Sequence, residues 1–437
     1  MSSKLKTNVR RRNSVGTFRA FSNSNFRFLW PANFLIYISR WMQMTLLAWF
    51  VLELTDSAWY VSLLGFFTFL PMLVLGMLGG LLADSMNRRM LLTITQLVAL
   101  AITIVATALL YAGLLELWHA YTVVFLTGAT WALDMPARSS VIHDLLGVNG
   151  VTNGMSLDVV GMTGSIMIGP ALAGLLITLF DVKGGYVAMV AFQSVAIVSL
   201  LLARIPTRHD SVFAPAKIFA NLSEGLRYVR TQRVVLAIIL ITLILNLLLF
   251  PIMQVIPVIA RDVLNVGPGL MGLLGSASGI GSFFGSLFLA SLVSINRHGA
   301  VFLGGSILGT MGLLAFSFSQ WYGLSFVALL VMGIGVAGFG VMQMTIVMLV
   351  SRDEMRGRAL GVVSLAIGVS PFGALLIGAL ASAIGTANAV TANAVVSLVL
   401  LGLVAIVMPS FWRDSSNAAQ TGGSGNANPG FVTCHER

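Results

Sequence analysis

Of the 437 residues, 9% are charged and 57% are hydrophobic, whereas an ordinary soluble protein carries roughly 25% charge. That composition excludes a water-soluble globule, whose surface needs far more charge. The net charge of +10 is accounted for by loop charges flanking apolar segments, described below, and requires no nucleic-acid partner.

Residues 1–28 form a basic arm with Lys4, Lys6, Arg10, Arg11, Arg12, Arg19 and Arg27 and no acid. Its composition is also that of a transit peptide, but no small-residue cleavage site of a secretory signal follows the first apolar stretch. Twelve apolar stretches come next, at 29–52, 59–82, 91–113, 119–141, 155–179, 185–203, 235–258, 268–292, 299–319, 322–350, 359–384 and 388–409. About 20 helical residues cross roughly 30 Å of hydrocarbon. The stretches are apolar all round, where barrel strands would alternate. The expected fold class is therefore an all-α membrane protein of twelve transmembrane helices in two six-helix bundles.

Charge orients the bundles. With the N-terminus inside, the inner loops hold Arg88 and Arg89, Arg138, the cluster at 204–233, Arg297, and Arg352, Arg356 and Arg358. The outer loops hold Glu53, Asp56, Glu116, Asp181 and Asp262 against only Lys183 and Arg261. This is the positive-inside pattern, with both termini expected in the cytoplasm and the spans in the cell inner membrane. The longest polar interval, 205–234, places Ile218, Phe219, Leu222, Leu226 and Val229 on one helical face. It is expected to lie on the membrane surface as an amphipathic linker between bundles at 29–204 and 235–410. The tail, 411–437, is rich in Gly, Ser and Asn and reads as disordered. Its lone Cys434 offers neither a disulfide nor a thiolate metal site.

Two motifs recur in the halves. Pro170, in Ile168–Leu176, and Pro371, in Val369–Gly378, lie 201 positions apart, and both halves have Gly-rich segments at 76–80 and 281–285. The pattern predicts a duplicated bundle. At the inner end of the second stretch stands Gly80-Leu-Leu-Ala-Asp84-Ser-Met-Asn-Arg88-Arg89. It resembles the G-x-x-x-D-[RK]-x-G-R-[RK] loop of the major facilitator superfamily, with Ser85 and Asn87 as departures. Asn tolerates a left-handed turn, so the second departure is mild. In that family the loop latches the two halves, which implies a gate formed by Gly80, Asp84, Arg88 and Arg89 with Arg356 and Arg358. The corresponding segment of the second half, 285–298, has no acid.

Gly169, Pro170 and Gly174 resemble the fifth-span pattern of proton-antiporting members. Trp41-Met-Gln, Glu53-Leu-Thr-Asp-Ser, Pro136-Ala-Arg138, Asn153-Gly, Glu224-Gly-Leu-Arg-Tyr-Val-Arg230 and Arg356-Gly-Arg358 look like the branch of enterobactin exporters and macrolide efflux proteins. The resemblance runs from about Phe26 to about Pro409. It implies a monomeric secondary transporter that exports a small molecule (drug, siderophore or metabolite) in exchange for protons by alternating access. An importer of a metabolite and a non-transporting membrane sensor on the same fold remain as alternatives.

Membrane-depth polar residues are the site candidates. Arg40 stands midway between Arg27 and Glu53, where an arginine costs about 2.5–3.5 kcal/mol to insert and must face protein or water. Asn33, Tyr37, Arg40 and Met44 share one helical face. Arg40 is either a cation in the substrate cavity or a member of an internal ion pair. Asp134 and Asp158 are the carboxylates available for proton coupling. For Asp134, pairing with Arg138 one turn on is the competing use, and for Asp158, capping or facing the inner vestibule. Asn246, Gln254 and Gln343 line the cavity or bond neighbouring helices. No Walker A loop is present, and the five histidines have no metal spacing. Neither an enzyme, a cofactor nor a metal site is expected.

Overall fold

The computed structural model describes residues 18–205, 224, 227–292, 297–351 and 355–413. Within its helices, the side chains of 76–85, 149, 410 and 413 lie outside that description. Most of the basic arm, the apolar face of the linker and the tail with Cys434 therefore also lie outside the described residues. Regular structure among the described residues is helical throughout. Ten helices are long and apolar enough to cross a membrane.

The chain enters through a 3₁₀ turn, Arg19–Ser22, into α1, Ser24–Thr55. Asn23 caps α1 by accepting from the Asn25 amide at 2.9 Å, and its Nδ2 donates to Leu145 O at 2.8 Å. The next helices are α2, Ala58–Ser85, and α3, Arg88–Ala112. Asn87 caps α3 from an extended backbone, accepting from the Arg89 amide at 3.0 Å. Its role in the Gly80–Arg89 loop is thus capping, and no left-handed turn is used there.

Helix α4, Leu117–Leu202, has 86 residues and would extend roughly 130 Å if straight, four times the hydrocarbon thickness. It is broken at Gly147 (φ 62°, ψ −179°) and Asp181 (φ 62°, ψ 177°). Glycine adopts that backbone freely, whereas a β-carbon is strained there. The Asp181 carboxylate accepts from the Val182 amide at 2.6 Å. The breaks divide α4 into rods at 117–146, 148–180 and 182–202, which supply the expected fourth, fifth and sixth spans. The first two continue past their apolar stretches until they meet at Gly147.

The remaining helices are α5, Arg233–Ile244, α6, Ile252–Asp262, α7, Pro268–Ser291, α8, His298–Phe318, α9, Tyr322–Val350, α10, Arg356–Ile367, α11, Ser370–Ile384, α12, Thr386–Val407, and α13, Pro409–Arg413. A π turn, Leu245–Leu249, joins α5 to α6. Pro371 has no N–H for the carbonyl of Ile367, which is where α10 stops. The Ser370 hydroxyl lies 2.8 Å from that carbonyl.

Two compact units result. The first joins the chain up to Ala214 with Met253–Ile280 and Ala374–Thr386. In it, Phe26, Leu29, Leu92, Val141, Ile142 and Leu200 form an apolar core near Arg88. At the end carrying Asp56, backbones meet through glycine. A β-carbon on Gly272 would lie 2.7 Å from Gly174 Cα, and one on Gly378 2.6 Å from Ser62 Cβ. The Ala171 amide donates to Ser276 Oγ at 2.9 Å. Arg261 clamps this end, bonding Asp56, Asp262 at 2.6 Å and the Leu52 carbonyl at 3.3 Å. The second unit comprises Pro215–Ile252, Gly281–Gly373 and the chain from Ala387. There α8 and α9 interlock, and a β-carbon on Gly335 would lie 2.6 Å from Gly309 Cα.

Helices in lipid associate by close packing rather than by expelling water, so these glycines carry the contact. Gly272→Val is expected to cost about 1–3 kcal/mol through overpacking and to loosen the Asp56 end. In a Cys434→Ser background, a cysteine placed at buried Ser62 should then react with maleimide several-fold faster. An unchanged rate would refute the close-packed role of Gly272.

Candidate functional site

The membrane-depth charges converge within the first unit. On α1, Asn33, Tyr37 and Arg40 follow one another at helical spacing, and on the first rod of α4 so do Trp131, Asp134 and Arg138. These two faces meet. The Arg138 Nε donates to Asp134 Oδ2 at 2.6 Å, with exposures of 2% and 1%. From α3, Gln96 Nε2 donates to Asp134 Oδ2 at 3.0 Å and Thr95 Oγ1 to Oδ1 at 3.3 Å. The Arg138 Nη1 donates to Asn33 Oδ1. Asn33 Nδ2 passes the chain on to Asp158 Oδ1 at 2.8 Å, and the Tyr37 hydroxyl donates to Oδ2 at 3.0 Å.

Aromatic rings close the gaps. Arg40 stacks over Trp131 at 4.6 Å, Arg138 lies 5.8 Å from the Tyr37 ring centre, and the two rings meet edge to face at 5.6 Å. Two guanidiniums and two carboxylates thus share one cluster. Asp134 is enclosed, while Asp158 is only partly buried. Such an array offers places for a proton or a polar group; it has no nucleophile–base pair. Among the described residues no cluster of His, Cys, Asp or Glu suits a metal ion.

A second feature in the same unit is a partly open apolar pocket between α1, α4, α6 and α7. Trp41, Met44, Pro170, Met253 and Met271 line it, with Thr45 and Gln254 as its polar residues. Pro170 and Gly174 of the fifth-span motif stand at its wall and at the contact with Gly272. Gly169 packs against the Trp41 Cβ.

Two further residues have other employment. Asn246 Nδ2 donates to the Thr242 carbonyl at 2.9 Å, and its Oδ1 lies 2.7 Å from the Ser370 hydroxyl. Gln343 Nε2 donates to Thr242 Oγ1 at 2.6 Å. Both join helices of the second unit. Of the gate residues, Gly80 lies in the helical part of α2 and the Asp84 side chain is outside the described residues. Arg88 pairs with Asp144 at 2.5 Å, Arg89 donates to the Leu201 carbonyl at 2.8 Å, and Arg358 bonds Glu224 of the linker at 2.6 Å. Arg356 begins α10.

Comparison with known proteins decides the family. Residues 15–422 match the transmembrane secretion effector family. The protein is a member of the major facilitator superfamily. It is 23% identical over 401 residues to macrolide efflux protein A of Streptococcus pyogenes, covering 89% of this chain and 96% of that one. It is 26% identical over 371 residues to the multidrug efflux pump Tap of Mycolicibacterium fortuitum, covering 83% and 90%. The solved peptide transporter POT in complex with sulfate shares the fold at a TM-score of 0.72 and 11% identity, covering 92% of this chain and 99% of that one. The protein is thus a multi-pass membrane transporter of small molecules, and its family is not one of enzymes.

In this transporter, sequence patterning found Arg40, Asp134, Asp158, Tyr37 and Asn33 but not Thr95, Gln96, Trp131 or Asp144. Thr95 and Gln96 sit about two turns inside α3 in an apolar span, and only their alignment with Asp134 marks them. Asp144 lies between two spans, where a solvated acid looks the same. Breaking a buried pair costs about 3–5 kcal/mol, so Asp134→Asn and Arg138→Gln should each lower the unfolding temperature of the purified transporter markedly. The double variant should recover part of the loss. Strictly additive losses would show that the two charges are not coupled.

Proposed function

We propose that this transporter is a proton-coupled exporter of an amphiphilic small molecule that works by alternating access. The observation carrying this reading is the buried chain from Asp134 through Arg138 and Asn33 to Asp158 and Tyr37. An alternating-access exporter needs a carboxylate that is loaded and unloaded on opposite sides. Asp158, partly open and held by two neutral donors, is the proton-exchanging group. Asp134, enclosed and paired, senses that exchange through Arg138 and Asn33. The Met-lined cavity with Trp41 and Gln254 receives the apolar part of the cargo, because thioethers and an aromatic face adapt to varied shapes. The export direction follows the similarity to proteins named for macrolide and multidrug efflux.

The organisation that goes with this function has six-helix bundles at 29–204 and 235–410, joined by the linker 205–234 and flanked by a cytoplasmic arm, 1–28, and tail, 411–437. In this reading both termini are cytoplasmic, in keeping with the loop charges, and the protein is a monomer in the cell inner membrane. The Gly80–Arg89 loop acts as a latch on the cytoplasmic side, with Arg356 and Arg358 facing it in the cycle.

In inverted vesicles given an inward-acid proton gradient, radiolabelled erythromycin and the dye Hoechst 33342 serve as probes. Wild-type protein should accumulate at least one of them, and an uncoupler should abolish accumulation. Asp158→Asn should cut gradient-driven accumulation more than tenfold while leaving downhill equilibration in place. Undiminished uphill transport by Asp158→Asn would sink the coupling assignment. Uptake in the opposite sense would mark an importer, and no movement of a broad compound panel a sensor.

A further inference from the structure

Polar side chains at membrane depth ordinarily spend their hydrogen bonds on protein. Asn246 and Gln343 do so through Ser370 and Thr242, and Asn33 and Gln96 bond Asp158 and Asp134. Gln254 of α6 is different. Among the described residues it makes no hydrogen bond, although it is only 6% exposed, and neither end of its amide is sealed inside the protein. The amide therefore keeps its donors and its acceptor for whatever enters the pocket that Gln254 lines with Trp41, Met44, Met253 and Met271.

Helix α2 leaves room for this amide. A β-carbon on Gly65 would lie 2.6 Å from Gln254 Cδ and 2.9 Å from its Nε2, so the side chain crosses α2 where only glycine fits. No charged side chain lines the pocket. Its other polar group, the Thr45 hydroxyl, gives its proton to the Trp41 carbonyl at 3.1 Å and can only accept. An ion brought here would lose its hydration with no counter-charge in exchange. A wholly apolar group would leave the Gln254 amide with neither water nor partner. These surroundings suit a group that is uncharged, forms hydrogen bonds and carries apolar surface for the ring and the thioethers.

We propose that Gln254, given its place by Gly65, is the specificity-determining residue of this pocket and selects an uncharged hydrogen-bonding group (an amide, ester or ketone) set in apolar surface. The assignment rests on the reading that the pocket receives cargo and narrows it: any charge the cargo carries lies outside this pocket. Gln254 touches the bound group directly, and Gly65 is a positioning residue that acts through it. An isostere lacking the polar group should bind about tenfold more weakly, because a site built to bond that group is left with its own amide unpaired.

The test is photolabelling of the purified full-length protein in phosphatidylcholine proteoliposomes with benzophenone, an uncharged ketone that reacts preferentially beside methionine sulfur. Peptide mass spectrometry should find adducts on Met44, Met253 or Met271. Two competitors of similar shape are compared: benzanilide, with a central amide, and trans-stilbene, with a carbon–carbon double bond in its place. The ratio of their competing strengths is taken in wild type and in each variant, so that partition into lipid cancels. Gln254→Leu should lower this preference for benzanilide at least about fivefold while the methionines are still labelled. Gly65→Ala, which keeps Gln254 but takes its room, should lower it in the same direction, a change that loss of stability alone would not produce. Adducts found only elsewhere in the wild-type protein would overturn the proposal, and so would a preference unchanged in Gln254→Leu. Labelling does not depend on transport. A wild-type protein that shows the preference yet moves neither erythromycin nor Hoechst 33342 would leave the selectivity of the pocket standing and remove its assignment to cargo.

Discussion

The interaction on which the rest of this structure depends is the enclosed ion pair of Asp134 and Arg138. Two opposite charges at 1–2% exposure have lost nearly all hydration, and mutual attraction alone seldom repays that loss. Here most of the remaining hydrogen-bonding capacity is met from three directions, Arg138 Nη2 alone being left over: Thr95 and Gln96 on α3, Asn33 on α1 and, beyond it, Asp158 on the second rod of α4. The pair therefore fixes rotation and height of three helices relative to one another. A slip of one residue in α1 would turn Asn33 by about 100° away from Arg138. Specificity of packing, more than net stability, is what such a pair contributes in a membrane, where apolar surfaces match each other in many registers.

Most of the fold was readable in the chain because lipid leaves so little choice. Backbone groups must bond within their own helix, so each apolar stretch of span length had to be a helix, and the loop charges separated one stretch from the next. The turning points were less readable. The boundary drawn at 142–154 is in fact helical up to Gly147, because His143 and Asp144 are compatible with helix and only the glycine permits the reversal at φ 62°. At Asp181 a residue that ordinarily avoids this backbone takes it, with its own carboxylate on the next amide. No composition rule distinguishes it from an ordinary surface acid. The π turn at Leu245–Leu249 was equally hidden, although Pro251 just beyond it supplies its cause by withholding one donor.

The candidate site shows the same division. One-dimensional spacing placed Asn33, Tyr37 and Arg40 on a shared face, and i,i+4 spacing paired Asp134 with Arg138. What spacing could not supply was which helices face each other. Thr95 and Gln96 on α3 and Trp131 on α4 come from two helices, and their meeting with the α1 face exists only after packing. Conversely, Asn246 and Gln343 look as functional in sequence as Asn33 does, yet they hold helices together through Thr242 and Ser370. A polar residue in a span advertises a partner without saying whether that partner is protein or cargo.

Chemistry and mobility are thus divided unequally along the chain. Arg40, Asp134, Arg138 and Asp158 all belong to the first two hundred residues, and no acid occurs between Asp262 and Asp353. The later helices are instead interrupted: by the π turn before α6, and by the stop at Ile367 ahead of Pro371. Gly373 fits against the carbonyls of Asn246 and Leu247, where a β-carbon would come within 2.7 Å. Two limits of the compact units fall close to these irregular places: Ile252 beside Pro251, and Gly373 two residues past Pro371. A helix can change direction most easily where its hydrogen-bond ladder is already broken or where no side chain stands in the way. A charge cluster demands the opposite, since each of its hydrogen bonds tolerates only a few tenths of an ångström. Placing the charges on uninterrupted stretches of α1 and of the rods of α4, away from the breaks at Gly147, Asp181 and in the later helices, lets one chain satisfy both demands.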